Sequence, residues 1–320
     1  MTAITRVPEP RNGRTNEASP RGPPGGAYRK SFPLYLDGFS EILLSLEEKT
    51  GGANVRYRLL FEPIFINLIL RRCCMDRRTE GIGDVYHRET KYRREAMPRG
   101  GLDWAHQPSP YKEFPNAIKH FPIRPVDQMG GKSLWHAIAK RRSIRELSDQ
   151  SITFSELSRL LWATQGITTK AWGFEFRASP SAGALYPIET YLVVNRVEEI
   201  PSGIYHYNVK EAQLTFLKEG QFGRELSEAG LGQEMLEEAA CVFVWTAVAG
   251  RSKWKYRERA YRYIYMDAGH IGQTLYLAAA ALDLSCCTVG AFFDEEVDRV
   301  IGVDGENEIS VYLGAIGHIR

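Results

Sequence analysis

The stretch Ala240-Cys-Val-Phe-Val-Trp-Thr-Ala247 is apolar at nearly every position. A strand with one wet face alternates apolar and polar residues. A run without alternation fits a strand covered on both faces, so this one is placed in the middle of a sheet. A long helix follows it. From about Tyr256 to Leu282, the residues Ile264, Ala268, Ile271, Leu275, Ala278 and Leu282 recur at alternating gaps of four and three, which puts them on one helical face. That face is core or a subunit interface. In a chain of 320 residues, 43% hydrophobic and 11% aromatic, there is enough apolar material to build a sizeable core around these two elements.

Shorter elements flank them. Ser133 to Lys140 reads as a helix running into an arginine cluster. A second helix has Thr153 as its cap, Glu156 three residues on, Leu157, Leu160 and Leu161 on one face and Gly166 to close it. Glu189 to Asn195 and Gly203 to Asn208 are rich in branched and aromatic residues and read as strands, the latter forming a hairpin with Gln213 to Leu217. Cys286 to Phe292 reads as a strand and turn, Asp294 as the cap of a short helix ending at Gly302, and Glu308 to Leu313 as a last strand. The pattern is α+β, without internal repeats.

Residues 1–31 are rich in Pro, Gly and Arg with little to bury, and are expected to form a disordered tail. Residues 32–83 form an extension of no assigned role, with a small helical unit as one reading. Residues 84–130 are an aromatic, irregular lead-in, and 131–320 the compact domain.

Composition removes several classes of function. Forty-one basic and thirty-nine acidic residues leave a net charge of +2, which gives no global attraction to nucleic acid or an anionic membrane. One local exception, Lys253-Trp-Lys-Tyr-Arg-Glu-Arg-Ala-Tyr-Arg262, interleaves cations with aromatics as single-strand binders do. Glu258, Asp267 and the periodic apolar face favour an amphipathic helix instead. The cysteines, Cys73-Cys74, Cys241 and Cys286-Cys287, lack the two-residue gap of zinc or thioredoxin sites and read as buried or free thiols in a reducing compartment. His87, His106 and His120 have no ligand spacing, so no metal is expected. The longest apolar run, Leu59 to Leu70, is broken by Glu62, Pro63 and Asn67, whereas a membrane span needs about twenty apolar residues. No transmembrane helix and no secretory signal are read, and the cytoplasm is the expected location.

Two segments carry chemistry. Arg141-Arg142-Ser143-Ile144-Arg145 places three arginines and a hydroxyl within five residues, a donor set for bidentate bonds to an anion such as phosphate. Ser179-Pro-Ser-Ala-Gly-Ala-Leu-Tyr-Pro187 surrounds Gly183 with small residues, which lets a backbone approach a flat ring. Together they suggest a flavin mononucleotide site. Blander readings exist for each: a solvated helix end facing its dipole for the arginines, a turn for Gly183, a core aromatic for Tyr186, and a core histidine for His270 in Asp267-Ala-Gly-His-Ile-Gly-Gln273.

The order and spacing of these segments resemble the nitroreductase-like flavoproteins, and the second segment resembles their SagB/ThcOx-type dehydrogenase branch. Three further segments fit the pattern: Arg259 to Gln273 is similar to the central helix, Thr288-Val-Gly-Ala-Phe292 to the turn over the flavin, and Leu313-Gly-Ala-Ile-Gly317 to the closing strand. The resemblance covers residues 84–320. It implies a nitroreductase-like α+β fold, a central and mostly antiparallel sheet flanked by helices, with FMN as cofactor. By the same resemblance Arg141, Arg142, Ser143 and Arg145 hold the phosphate and ribityl tail. Pro180, Ser181, Ala182 and Gly183 lie along the isoalloxazine, and Gly290 and Ala291 on its other side. Gln273 donates a hydrogen bond to the ring, His270 has a structural or flavin-proximal role, and Tyr186 is the acid or base.

The implied activity is hydride transfer between flavin and a small organic or modified-peptide substrate, by a homodimer whose protomers both contribute to each flavin site. A cyclodehydratase is the implied partner for a peptide substrate. The alternatives are an NAD(P)H-dependent nitroreductase and a non-catalytic flavin- or peptide-binding relative. Azoline oxidases of the family carry a lysine directly before the tyrosine, and this chain departs from them with Leu185.

Overall fold

The structure, a computed structural model, describes residues 42–50, 53–61, 81–97, 100–124 and 131–320. The chain divides into two units, Met1–Glu80 and Gly81–Arg320. In the first, β1 (Ile42–Thr50) and β2 (Ala53–Phe61) pair antiparallel. This corrects the helical reading of the extension. Val55, Tyr57 and Leu59 alternate with Asn54, Arg56 and Arg58, and Gly51-Gly52 is a turn signal between the two runs. The tail expected over 1–31, and Cys73-Cys74, lie outside the described residues.

The second unit is built on one sheet. Its strands are β3 (Lys119–Pro122), β6 (Ile188–Val194), β7 (Gly203–Asn208), β8 (Gln213–Glu219), β9 (Cys241–Val248), β10 (Ser285–Val289) and β11 (Glu308–Gly317), while β4 (Ile167–Ala171) and β5 (Phe174–Arg177) form a separate hairpin. The order across the sheet is β10-β11-β9-β6-β7-β8-β3, and every neighbouring pair is antiparallel. Strand β3 comes from the lead-in segment, so that segment closes one edge of the sheet.

The apolar run becomes β9, paired with β11 on one side and β6 on the other. Phe243 and Trp245 point into one core with Leu157, Leu161, Ile264, Ile271 and Leu275, and Val242 and Val244 into a second with Leu226, Leu236, Val297 and Ile301. Alternate side chains of a pleated strand point to opposite faces, and both faces here meet helices. One layer consists of α3 (Phe154–Gln165) and α7 (Ala260–Ala281), the other of α4 (Gly223–Ala229), α5 (Met235–Glu238) and α8 (Asp294–Ile301). The remaining helices are α1 (Ile82–Glu89), α2 (Leu134–Lys140) and α6 (Ala249–Tyr256).

The capping box at Thr153 and Glu156 forms as read, with Thr153 Oγ1 accepting from Glu156 N at 3.1 Å and Glu156 Oε2 accepting from Thr153 N at 2.8 Å. Two boundaries are corrected. The long helix starts at Ala260, after a break at Arg257, whose φ of 50° no α-helix accommodates. The cap of α8 is Phe293. Asp294 is its first helical residue, makes no capping bond and joins Glu295 and Glu296 in placing negative charge at the helix N-terminus. Gly302 closes α8 in the left-handed region, at φ 83°.

Candidate functional site

The arginine segment leaves the end of α2 and runs beside β10. Ser143 forms a parallel bridge with Cys286, and Ile144 N donates to Cys286 O at 3.1 Å. Its side chains gather on Tyr276 of α7: Ser143 Oγ lies 2.8 Å from Tyr276 Oη, Thr288 N donates to the same oxygen at 2.9 Å, and the Arg141 guanidinium sits 5.1 Å from the ring centroid. Lys132, His136, Lys140, Arg141 and Arg142 line a cleft of about 480 Å³ here, with Asp283 as the acidic member, paired to Lys132. Arg145 is exposed and, among the described residues, makes no hydrogen bond or ion pair.

At the far end of β10, Gly290 and Ala291 are exposed, and a Cβ on Gly290 would come no closer than 3.8 Å to Tyr312. Four residue steps lead from Cys286 to Gly290, about 13 Å. Cations at one end of this track and bare backbone at the other suit a ligand with a phosphate tail and a flat head. By that chemistry the residues fit FMN.

The second segment docks on a different side of α7. Asp267 is buried and holds the loop: Ser181 Oγ donates to its carboxylate at 2.6 Å and Ala182 N at 3.2 Å. Burial pushes the Asp267 carboxyl up, against these hydrogen bonds. Ser179 Oγ bonds Thr274 Oγ1 at 3.3 Å. Gly183 turns at φ 65°, a conformation that favours glycine, and a Cβ there would lie 2.6 Å from Tyr256 Oη and 3.0 Å from Lys255 Nζ, so a side chain would have to displace the ends of both.

Tyr186 is buried at a φ of 46°, where a non-glycine residue is strained. Four contacts hold it: its N donates to Ser181 Oγ at 3.0 Å, its carbonyl accepts from Arg251 at 3.1 Å, its hydroxyl accepts from Arg177 N at 3.0 Å, and the Arg177 guanidinium lies 4.5 Å from its ring. Tyr186 lines two adjoining cavities of about 470 and 600 Å³.

Asp267 and Tyr276 are nine residues apart, two and a half turns, and so on opposite sides of α7. The cleft at Arg141 shares no lining residue with the cavities at Tyr186. Within one protomer the structure therefore groups Arg141, Arg142 and Ser143 along the β10 track that ends at Gly290 and Ala291. Ser181, Ala182, Gly183 and Tyr186 form a second group. Gln273 and His270 are exposed on α7, which corrects the core reading of His270: the helix turns it away from the sheet.

Sequence reading missed the groups that support the loop. Glu189 on β6 is buried between His206 Nε2 at 2.7 Å and Arg251 Nη1 at 2.5 Å. Burial alone would raise the Glu189 carboxyl, but the His206 bond and the charges of His206, Arg251 and Arg177 outweigh it and hold it at about 2. Arg251 also donates to Ser109 O at 2.7 Å, and Arg177 to Pro110 O at 3.0 Å and Gln165 Oε1 at 2.9 Å. Lys112 reaches Glu308 and, at 2.7 Å, Tyr191 Oη. The lead-in segment is thus tied to the sheet beside Tyr186.

The cation and aromatic run is a second tie. Trp254 Nε1 donates to Asp103 O at 2.8 Å, Arg259 Nη1 to Thr90 O at 2.7 Å and Arg262 Nε to Thr90 Oγ1 at 2.8 Å. Both arginines stack on lead-in rings, Arg259 on Tyr92 and Arg262 on Tyr86. No single residue of this run signals that role; only the fold brings the lead-in against it. Among the described residues no helix is long and apolar enough to cross a membrane.

The architecture is an antiparallel sheet between two helical layers, with a cationic cleft at one end of its central helix. The Nitroreductase family pattern matches residues 138–318. This chain belongs to the nitroreductase family. It is 35% identical over 166 residues to a Methanocaldococcus jannaschii protein named as a nitroreductase, MJ1384, covering 52% of this chain and 82% of that one. The trifolitoxin-processing protein TfxB of Rhizobium leguminosarum bv. trifolii is 34% identical over 133 residues, 40% of this chain and only 36% of TfxB. In solved structures, a chain of the Escherichia coli microcin synthetase complex McbBCD, with truncated pro-MccB17 bound, shares the fold at a TM-score of 0.50 and 22% identity, over 75% of this chain and 92% of that one.

Proposed function

We propose that this chain is an FMN-dependent oxidoreductase of the SagB dehydrogenase type, working in the cytoplasm on a small organic or peptide-derived substrate. It acts as a homodimer, with each site assembled from both protomers. The observation that carries the reading is the arrangement on α7, where a phosphate-binding donor set and a ring-approaching loop occupy opposite sides of one helix. A second copy brings the loop of one protomer to the cleft of the other, and the exposed stripe of α7 with Tyr265, Met266, His270 and Gln273 is the surface left for it.

When bound, FMN supplies the two-electron redox chemistry that no side chain in the site provides. Arg141, Arg142, Ser143 and Arg145 hold its phosphate and tail. Pro180 to Gly183 present backbone to one part of the ring, Gly290 and Ala291 to the other, with Gln273 as a side-chain donor. Tyr186 handles the proton. Its oxygen accepts from Arg177 N, which leaves its own hydrogen to be donated to a substrate heteroatom, and the oxygen to take a proton back in the reverse direction.

The names of the relatives extend this reading to modified peptides. TfxB is named for processing trifolitoxin, and McbBCD was solved with a precursor bound. A cyclodehydratase partner would make the heterocycle that such an enzyme oxidises. Leu185 in place of lysine argues against the azoline step itself. The name of MJ1384 favours the second reading, an NAD(P)H-dependent nitroreductase.

The deciding measurement is the visible spectrum of the purified protein during anaerobic addition of NADH, NADPH and dithionite. Bound flavin bleached only by dithionite supports the dehydrogenase. Bleaching by a nicotinamide moves the assignment to the reductase. Flavin that nothing reduces leaves a non-catalytic relative, and absence of flavin after reconstitution with FMN overturns the proposal.

A further inference from the structure

The β4–β5 hairpin carries a residue that its turn does not favour. Ala171 pairs directly with Phe174, so the loop is Trp172–Gly173, and both residues have positive φ, 53° and 79°. That is the pattern of a type I′ turn, which favours Asn before Gly; a bulky residue at positive φ is an outlier. The indole gains little within the protein in return: Trp172 is 88% exposed, with one edge-on contact to Phe176 at 6.3 Å. Phe174 beside it is 45% exposed. Strain of this kind, held without compensating burial, is a reason to ask what the side chain does at this position.

The hairpin overhangs both cavities at Tyr186. Trp172, Phe174, Ala184 and Tyr186 line each of them, and volumes of about 470 and 600 Å³ suit a small ligand. The charged groups in the lining are already engaged. Lys170 pairs with Glu175. Arg177 is buried against Tyr186 and bonded to Gln165 and Pro110. Its Nε is buried with no partner. Among the lining residues each charged side chain therefore already has a partner in the protein, whereas the cleft at Arg141 is cationic.

We propose that Trp172 is a substrate-specificity residue: it stacks on a flat, uncharged ring seated over Tyr186, and the turn strain is retained for that contact. This rests on the oxidoreductase reading only for calling the ring a substrate. The test is calorimetric titration of the full-length protein as purified with 4-nitrobenzamide and its charged isostere 4-nitrobenzoate, for wild type and Trp172→Asn, with FMN content recorded by absorbance and unfolding by thermal melts.

Trp172→Asn should weaken 4-nitrobenzamide about tenfold and 4-nitrobenzoate less than twofold. FMN content should stay unchanged and the melting temperature the same or higher, because Asn-Gly suits the turn. A purely structural tryptophan would lose stability together with affinity, and that outcome overturns the proposal. So do equal losses for both ligands, no loss for either, and no binding of 4-nitrobenzamide by wild type. Trp172-dependent binding in protein that takes up no FMN would overturn the flavoprotein reading alone.

Discussion

Arg141 reaches its position because α2 ends one residue earlier and Ser143 is bridged to Cys286; its guanidinium then lies over Tyr276 and faces the cleft. Replacing it with Ala removes a charge-assisted bond to phosphate, and FMN affinity should fall by about 2–3 kcal/mol, read by titrating apoprotein with FMN. Unchanged flavin content refutes the assignment. Glu189 gives a pH prediction. Its carboxyl titrates at about 2 in the folded protein against the usual 4.5, so it contributes stability above pH 4.5 that is lost as the pH falls toward 2. Glu189→Gln should cost about 3 kcal/mol near neutral pH, since it leaves Arg251 and His206 buried without their anion. In urea melts the gap to wild type should narrow below pH 4.5. A constant gap would show that Glu189 is not ionised in the fold. Of these residues the arginines announced themselves by crowding, whereas Glu189 sat in a strand run and nothing in its neighbours pointed to Arg251, sixty-two positions away.

At the scale of the element, legibility followed locality. The box at Thr153 was readable because cap and partner are three residues apart, and Thr153→Ala should cost about 1 kcal/mol, measured by chemical denaturation. A value near zero would mean that packing of Leu157 and Leu161 alone fixes the start of α3. Strand β9 and the hairpin of β7 and β8 were readable for the same reason. The break at Arg257 was not: the cation and aromatic run is helical in pattern on both sides of it, and the backbone departs from the helix where Arg259 and Arg262 reach across to α1. The hairpin of β4 and β5 was missed because Trp172-Gly173 is a poor turn signal.

For the whole molecule, the opposed docking sites on α7 predict shared flavin sites. Arg141→Ala and Gly183→Val should each lose FMN as homodimers. Gly183→Val does so because its side chain would collide with Tyr256 and Lys255. If the two variants are unfolded and refolded together, half the dimers are mixed and each mixed dimer has one intact site, so about a quarter of the sites should bind FMN again. No recovery in dimers that mass spectrometry shows to be mixed would place the whole site within one protomer.

By itself the sequence determined the layered sheet, the central helix and the two chemical segments, because each is written in local periodicity or in residues a few positions apart, and their order carried the family. Only the tertiary structure decided what holds those segments: Asp267 under the loop, Tyr276 under the arginines, the buried Glu189 pair and the lead-in laid across them. These contacts join residues from tens of positions to more than a hundred apart, and the low-dielectric interior that gives them their strength exists only once the chain has folded around them.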